Sequence, residues 1–354
     1  MRDITSEKND GLFGSSKEVK KASIRYAGLI MPVILVMLVL IVSIGGCSTI
    51  ETPLEIGSSG ASSADAFRRY YSQKAATDTE HDYSRMDLEV LENMASETVG
   101  TVVDTEELTI EVAGAIISGC RAEIILRVTA NQLDSVLYDE SIPKNIRFGD
   151  ESALFMRKYN FDSLGIRYYY SDEDDSLAPN QFELHYSIVQ EPFDQDHYTI
   201  ELTDFGYYSS DTREFFPLYT GNWTVDISFV PVSDTSRRID IGQEISVGDY
   251  RFVLENIQIS PLACSINLVC EEEEAYVNEH FGEIFEVLSD KTRNCALTLA
   301  DGTELGARQF HIEYGNRGDF GFFITFFGPM AVDDIMSLSL YESEFFLSKN
   351  NNIL

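Results

Sequence analysis

Leu108-Thr109-Ile110-Glu111-Val112, continued by Ala115-Ile116-Ile117-Ser118 and Ile124-Ile125-Leu126-Arg127-Val128, is the stretch that decides the fold. Apolar side chains fall on every second position, the period of a strand with one buried face. The pattern returns at Tyr250-Arg251-Phe252-Val253-Leu254, an offset of 142 residues (250 − 108). Without a gap, Ala115 and Ile117 match Ile257 and Ile259, and Ser118 matches Ser260. Ile124, Leu126 and Val128 match Ile266, Leu268 and Cys270 in the same register. Both copies run through a turn, Ser118-Gly119-Cys120-Arg121 in one and Ser260-Pro261-Leu262-Ala263 in the other. A slip of one residue would turn every side chain to the opposite face, so the shared parity specifies the same buried face twice. The expectation is a mainly β chain of two similar sandwiches, meeting at the polar joint Ser233-Asp234-Thr235-Ser236-Arg237-Arg238.

Outward from these copies, short runs of Val, Ile, Tyr, Phe and Thr alternate with Gly, Asp, Asn, Ser and Pro clusters, as in an all-β sandwich. Predicted strands cover 108–112, 124–129, 166–170, 182–189, 198–202 and 223–229, then 250–257, 265–270, 296–299, 310–314, 320–326 and 336–341. Residues 202–216, dense in aromatics and acids, read as a long connection, and 281–288 as either a helical turn or a broken strand. Upstream, Met86, Leu88, Val90, Leu91 and Met94 suit a short helix. Residues 48–65, with Gly57-Ser58-Ser59-Gly60-Ala61-Ser62-Ser63, read as a flexible stalk.

Further toward the N-terminus lies an uncharged apolar run, Tyr26 to Ile44, long enough to span a bilayer core as a helix. Lys17, Lys20, Lys21 and Arg25 precede it, which by the positive-inside bias keeps the N-terminus cytoplasmic and the bulk of the chain outside. Two fates fit the run. It stays as a signal anchor, or Ile44-Gly45-Gly46-Cys47 is a lipobox, cut so that a lipid-bearing Cys47 becomes the new N-terminus. The expected organisation is a cytoplasmic tail (1–25), a transmembrane helix or lipoprotein signal (26–46), a stalk with short helix (47–99), and sandwiches at 100–235 and 236–354.

The 59 Asp and Glu against 26 Lys and Arg give a formal net charge of −33 in 354 residues. Such a field repels nucleic acid and anionic lipid, which excludes a nucleic-acid partner. Apart from Cys47 there are four cysteines, Cys120, Cys264, Cys270 and Cys295. Cys264 and Cys270 share parity with Ile266 and Leu268, as does Cys295 with Leu297 and Leu299, so they read as free thiols packed like small apolar residues. One straight strand would hold Cys264 and Cys270 too far apart to bond.

Thr105 to Val112, Ala115 to Gly119 and Ile124 to Val128 together resemble the opening hairpin of a family of uncharacterised ectodomains. These occur in single-span membrane proteins of Gram-positive bacteria, often beside extracytoplasmic-function sigma factors, and are sometimes called anti-sigma-like. Gly221-Asn222-Trp223-Thr224-Val225-Asp226-Ile227-Ser228-Phe229 is similar to that domain's closing strand. The second copy, from Gly248, resembles the immunoglobulin-like domain that follows it. The resemblance implies two tandem immunoglobulin-like sandwiches behind a membrane segment and a link to envelope signalling.

Chemistry-bearing motifs are sparse. His81, His185, His197, His280 and His311 show no metal-ligand spacing, and there is no HExxH or Gly-x-Ser-x-Gly. No cofactor, metal or catalytic residue is assigned. Asp172 to Asp175 and Glu271 to Glu274 read as solvated loop ends, and Trp223 as a core residue. Tyr168, Tyr169, Tyr170, Tyr207 and Tyr208, taken as near connections, form the candidate binding surface, since clustered Tyr with Ser, Asp and Asn is the composition of recognition loops. The resulting expectation is a non-catalytic, membrane-anchored binding or sensing protein whose partner is an envelope protein or ligand. A lipid-anchored adhesion or structural module and an envelope hydrolase are the alternatives.

Overall fold

Alternation at both copies builds one hairpin twice. In the computed structural model, which describes residues 63–96, 99–100, 102–137, 146–150, 163–170, 174–189, 197–208, 212, 214–229, 236–291, 295–306, 310–314 and 320–347, β3 (Leu108–Ser118) pairs antiparallel with β4 (Arg121–Ala130). One repeat later β11 (Tyr250–Ile259) pairs with β12 (Ala263–Cys270). The register is the same in both. Ile117 faces Ala122 as Ile259 faces Cys264, and Ile110 faces Val128 as Phe252 faces Cys270. Even the bulge recurs, between Val112 and Gly114 in one copy and between Leu254 and Asn256 in the other. The tail, the apolar run with Cys47, and the stalk up to residue 62 lie outside the described residues. Among the described residues, no helix is long and apolar enough to cross a membrane.

Each hairpin sits in a five-stranded antiparallel sheet. The first has the order β2-β3-β4-β7-β6, with β2 Val103–Asp104, β6 Ser163–Tyr170 and β7 Gln181–Val189. The second has the order β10-β11-β12-β16-β15, with β10 Arg237–Val247, β15 Phe310–Tyr314 and β16 Phe320–Phe326. A four-stranded sheet accompanies each. The first is β1-β9-β8-β5 (β1 Val99–Gly100, β5 Arg147–Asp150, β8 His197–Tyr208, β9 Phe215–Ser228). The second is β14-β13-β17-β18 (β13 Ala296–Leu299, β14 Glu304–Leu305, β17 Ile335–Leu340, β18 Ser343–Phe346).

Each pair of sheets shares a core. Leu108, Ile110, Ile124, Leu126, Phe182 and Leu184 of the first larger sheet join Phe148, Tyr198, Ile200, Phe205, Trp223 and Val225 of its companion. Trp223 is a core residue as expected, packed edge-on against Phe148 at 5.9 Å. The second core joins β11, β12 and β16 to β13, β17 and β18, and includes a helix, α3 (Glu274–Lys291). Val277, Ile284 and Leu288 of α3 enter that core at helical spacing, and Phe281 stacks on Phe320 at 5.6 Å. The ambiguity at 281–288 thus resolves as helix, and Glu274 is its first residue rather than a loop end.

Other expectations change too. Residues 202–216 are largely the continuation of β8 and the start of β9, a long hairpin in which Tyr207 pairs with Phe216. Gly221 lies inside β9; a Cβ there would sit 3.2 Å from the Trp223 indole, so the missing side chain makes room for the ring. Strands β5 and β10 were not foreseen, and β10 begins at Arg237, within the supposed joint. Cys120, Cys264, Cys270 and Cys295 are free thiols, Cys270 only partly buried, and burial pushes Cys295 up to about 12.

The two halves meet through their equivalent turns. Ser260 Oγ donates to the Ser118 carbonyl oxygen at 3.0 Å, a bond between residues one repeat apart. Gly119 lies beside it at φ +59, where an added Cβ would come within 2.8 Å of Ser260 Cβ. Arg121 donates to the carbonyl oxygens of Leu262 (3.5 Å) and Phe326 (3.1 Å), while Cys120, Val189, Ala263 and Phe323 form a small apolar cluster at the same seam.

A helical segment braces this seam. Helix α1 (Ser63–Thr77) includes the last residues of the expected stalk, and a single 3₁₀ turn at Leu88–Val90 leads into the short α2 (Leu91–Met94), where the short helix was expected. Ala66, Phe67, Tyr71, Leu91 and Met94 pack on Ile116, Ile125 and Leu262. The same segment reaches the second half directly. Asp87 N donates to the Pro329 carbonyl oxygen at 2.7 Å, Arg85 pairs with Asp301 at 2.7 Å, and His81 packs on Phe327.

Candidate functional site

The outer face of the first larger sheet carries charge where an exposed strand would carry scattered polar groups. On β4 the outward positions are Arg121, Glu123, Ile125 and Arg127, and on β7 they are Glu183, His185 and Ser187. Helix α1 lies over them because Ser63, Ala66, Phe67, Tyr70, Tyr71 and Lys74 fall at i, i+3, i+4, i+7, i+8 and i+11, one face of a helix. Asp65 in its first turn and Lys74 in its last suit the helix dipole. Ser63 Oγ anchors the start, donating to the Ala115 carbonyl at 2.9 Å while accepting from the Ala115 amide at 2.7 Å.

Beneath the helix the charges are paired. The Glu123 carboxylate accepts from Tyr71 Oη at 2.5 Å and pairs with Arg121 at 2.6 Å. Glu183 is met by Arg127 at 2.7 Å, Arg69 at 3.2 Å and His185 at 3.1 Å. Burial alone would raise Glu183, but the hydrogen bonds and charges of His185 and Arg127 outweigh it and hold the group at about 2. Asp174, one of the residues expected at a solvated loop end, is buried and pairs with Arg69 at 3.6 Å. Burial, reinforced by the nearby Glu123 charge, pushes Tyr70 and Tyr71 well above the usual phenol range. Tyr70, Tyr169 and His185 form a triangle of rings, with centroids 4.4 to 5.5 Å apart.

Two adjoining hollows open along this edge of the helix. The smaller, about 380 Å³, is lined by Phe67, Tyr70, Lys74, Arg121, Glu123, Arg167 and His185 among others. Its neighbour, about 540 Å³, shares Tyr70, Lys74 and Arg167 and adds Tyr169 and Asp78. The volumes fall in the range of about 300–1,000 Å³ common to small-molecule sites. Lys74 is half-buried here. Its ammonium donates to the Phe327 carbonyl oxygen at 3.5 Å and lies over the rings of Tyr70 (5.6 Å) and Tyr83 (5.9 Å). Burial, then the Arg121 and Arg167 charges, lower it to about 8 against the opposing pull of Glu123. Among the described residues no carboxylate lies within 4 Å of Lys74 Nζ, and no cluster of His, Cys, Asp or Glu is placed to hold a metal ion. Asp78 is committed to His81 (2.7 Å) and the Tyr83 hydroxyl (2.8 Å), bonds that hold its carboxyl well below the usual range. The arrangement can bind and orient; its carboxylates are already occupied by cations and hydroxyls.

The five tyrosines expected to form one surface lie on strands β6 and β8 and divide between places. Tyr169 faces the cleft, whereas Tyr168 stacks on Phe182 at 5.6 Å and Tyr170 donates to the Ile146 carbonyl oxygen at 3.0 Å, both turned toward the core. Tyr207 and Tyr208 sit at the end of the β8–β9 hairpin, against Phe216 and Phe215. Tyr168 also stacks on Tyr170 at 6.1 Å, and Arg147 lies over both Tyr168 (5.1 Å) and Tyr208 (5.3 Å), bridging the two strands there. Cys47 lies outside the described residues. Lys74, Arg121, Glu123, Arg167 and His185 were not singled out from the sequence. For Arg121, Glu123 and His185 the signal was present as alternation on β4 and β7, but alternating charge opposite an apolar face reads equally well as solvent-facing.

No family model and no curated protein matches the chain. Among solved structures, a conserved domain protein from Bacillus anthracis is similar at 9% identity and a TM-score of 0.38, over 69% of this chain and 75% of that one.

Proposed function

We propose that this is a membrane-anchored extracytoplasmic recognition protein with two immunoglobulin-like sandwiches, at 100–235 and 236–354, and no catalytic role of its own. The cleft along α1 is its binding site. The single observation that carries this reading is that α1, the first described element after the apolar run 26–44, forms one wall of the cleft and belongs to the brace that touches both halves. A ligand seated there would contact the element nearest the tether and bias how it docks, which is what a sensor needs. The acidic surface suits an exported domain, and the resemblance to anti-sigma-like ectodomains agrees with a signalling setting.

Topology tests the reading first. An impermeant maleimide should label Glu279→Cys, on the exposed face of α3, in intact protoplasts. Labelling only after permeabilisation would overturn the extracytoplasmic assignment. Intact mass of the membrane-extracted chain then separates the two tethers, since a chain starting at a lipid-bearing Cys47 removes any role for the tail.

A further inference from the structure

Resting on the reading of the cleft as a recognition site, we infer that its ligand is a small organic anion, a carboxylate or phosphate ester with a ring or apolar body, met by Lys74 and Arg167. In a chain of net charge −33 this cleft gathers Lys74, Arg121 and Arg167 on one lining, with Glu123 the one carboxylate among the lining residues. Arg121 is taken by Glu123 and by carbonyls across the seam. Lys74 is the contrasting case. An ammonium has three donors, and here they meet one carbonyl oxygen at the limit of hydrogen-bond length and two ring faces. A ligand carboxylate or phosphoryl group would give that half-desolvated charge the partner no described residue supplies, as a charge-assisted hydrogen bond. Arg167 is exposed and lines both hollows, so it can meet the same group from the strand side. The rest of the lining selects the ligand's body. Phe67 and the Tyr70 and Tyr169 rings suit a flat or apolar group better than a hydrated inorganic ion.

The full chain, extracted in detergent, should bind benzoate and phenyl phosphate in ligand-observed NMR. Benzamide, the neutral counterpart of benzoate, should bind at least tenfold more weakly, as should inorganic phosphate relative to phenyl phosphate. Lys74→Met, which keeps the stem, should weaken benzoate at least tenfold. Arg167→Gln, at an exposed position, should weaken it several-fold. Raising the pH from 7 to 9 should weaken benzoate in the parent but not in Lys74→Met. The charged and titratable groups around Lys74 over that range are Asp78, Tyr70 and Tyr83 from its own segment, Arg121 and Glu123 from β4, Arg167 and Tyr169 from β6, and His185 from β7. Binding of neither anion, equal binding of benzamide, equal binding of inorganic phosphate, or parent-like benzoate affinity in both variants would each overturn the inference. Equal, cleft-directed binding of benzamide would still leave the cleft a recognition site, so the two readings fail separately.

Discussion

Every registered pairing of the second hairpin recurs 142 residues earlier in the first, yet the two share almost none of their outward chemistry. Where β4 carries Arg121, Glu123, Ile125 and Arg127, the matched positions of β12 carry Ala263, Ser265, Asn267 and Val269. Across the strand, His185 opposes Ile125 and Ser187 opposes Glu123, while in the second half Gly321 opposes Asn267 and Phe323 opposes Ser265. The helices follow the same division. In the first half α1 lies outside the sheet over the charged face, and in the second α3 is part of the core. The difference teaches that inward-facing residues determine the scaffold and can be repeated, while outward-facing residues determine what the scaffold does and here are not.

That contrast can be broken most strongly at Glu183. It holds Arg69, Arg127 and His185 together, and Glu183→Ala strands those groups under α1, so about 4 kcal/mol of stability should be lost in denaturant unfolding. The pH dependence gives the sign. Because the folded-state value, about 2, lies below the ordinary 4.5, this contribution is complete above pH 4.5 and is lost as pH falls through about 2. The variant's stability profile should be flatter over that window; an unchanged acid limb would mean the network contributes nothing.

A smaller effect sharpens the comparison position by position. Ile125 is buried beneath the helical brace, and its match Asn267 is partly exposed and bonded to Glu255 at 3.0 Å. Truncation of Ile125 to Ala should cost about 3 kcal/mol, whereas Asn267→Ala should stay within about 0.5 kcal/mol. Equal losses would show that the two outer faces are energetically alike despite their sequences.

The smallest expected effect falls where the halves touch. Gly119→Ala adds a Cβ at positive φ and against Ser260, at a cost of about 2 kcal/mol. Ser260→Gly should relieve part of that cost, with a coupling above about 0.5 kcal/mol in a double-mutant cycle. Strict additivity would mean the turns do not press on one another.

Much of this architecture was legible in advance because period 2 is a local property. The parity of Ile110, Val112, Ile124 and Leu126, and its return 142 residues later, carried the β class and the repeat, while the same alternation on individual strands carried the buried Trp223 and the unbonded cysteines. Helix α1 was overlooked because its buried stripe is built of Ser, Ala and Tyr around a single Phe67, which is weakly apolar overall, and because its first residues follow a Gly/Ser run. Strand β10 escaped because its buried positions are few: only Ile245 and Val247 are fully enclosed. The tyrosines were legible as a composition but not as a place, since alternation sends Tyr169 one way and Tyr168 and Tyr170 the other.

By itself, then, the sequence determined the strands, their buried face and their repetition, because side-chain alternation along an extended chain needs no distant partner. Tertiary structure decided which of two equivalent outer faces would be covered, and so where a cleft could form. That choice depends on α1 meeting β4, β6 and β7, more than fifty residues away for Tyr71 and Glu123 and over a hundred for Arg69 and Glu183. No local pattern in Lys74 or Arg167 records that they line the same hollow; only the packing of the helix across the strands does.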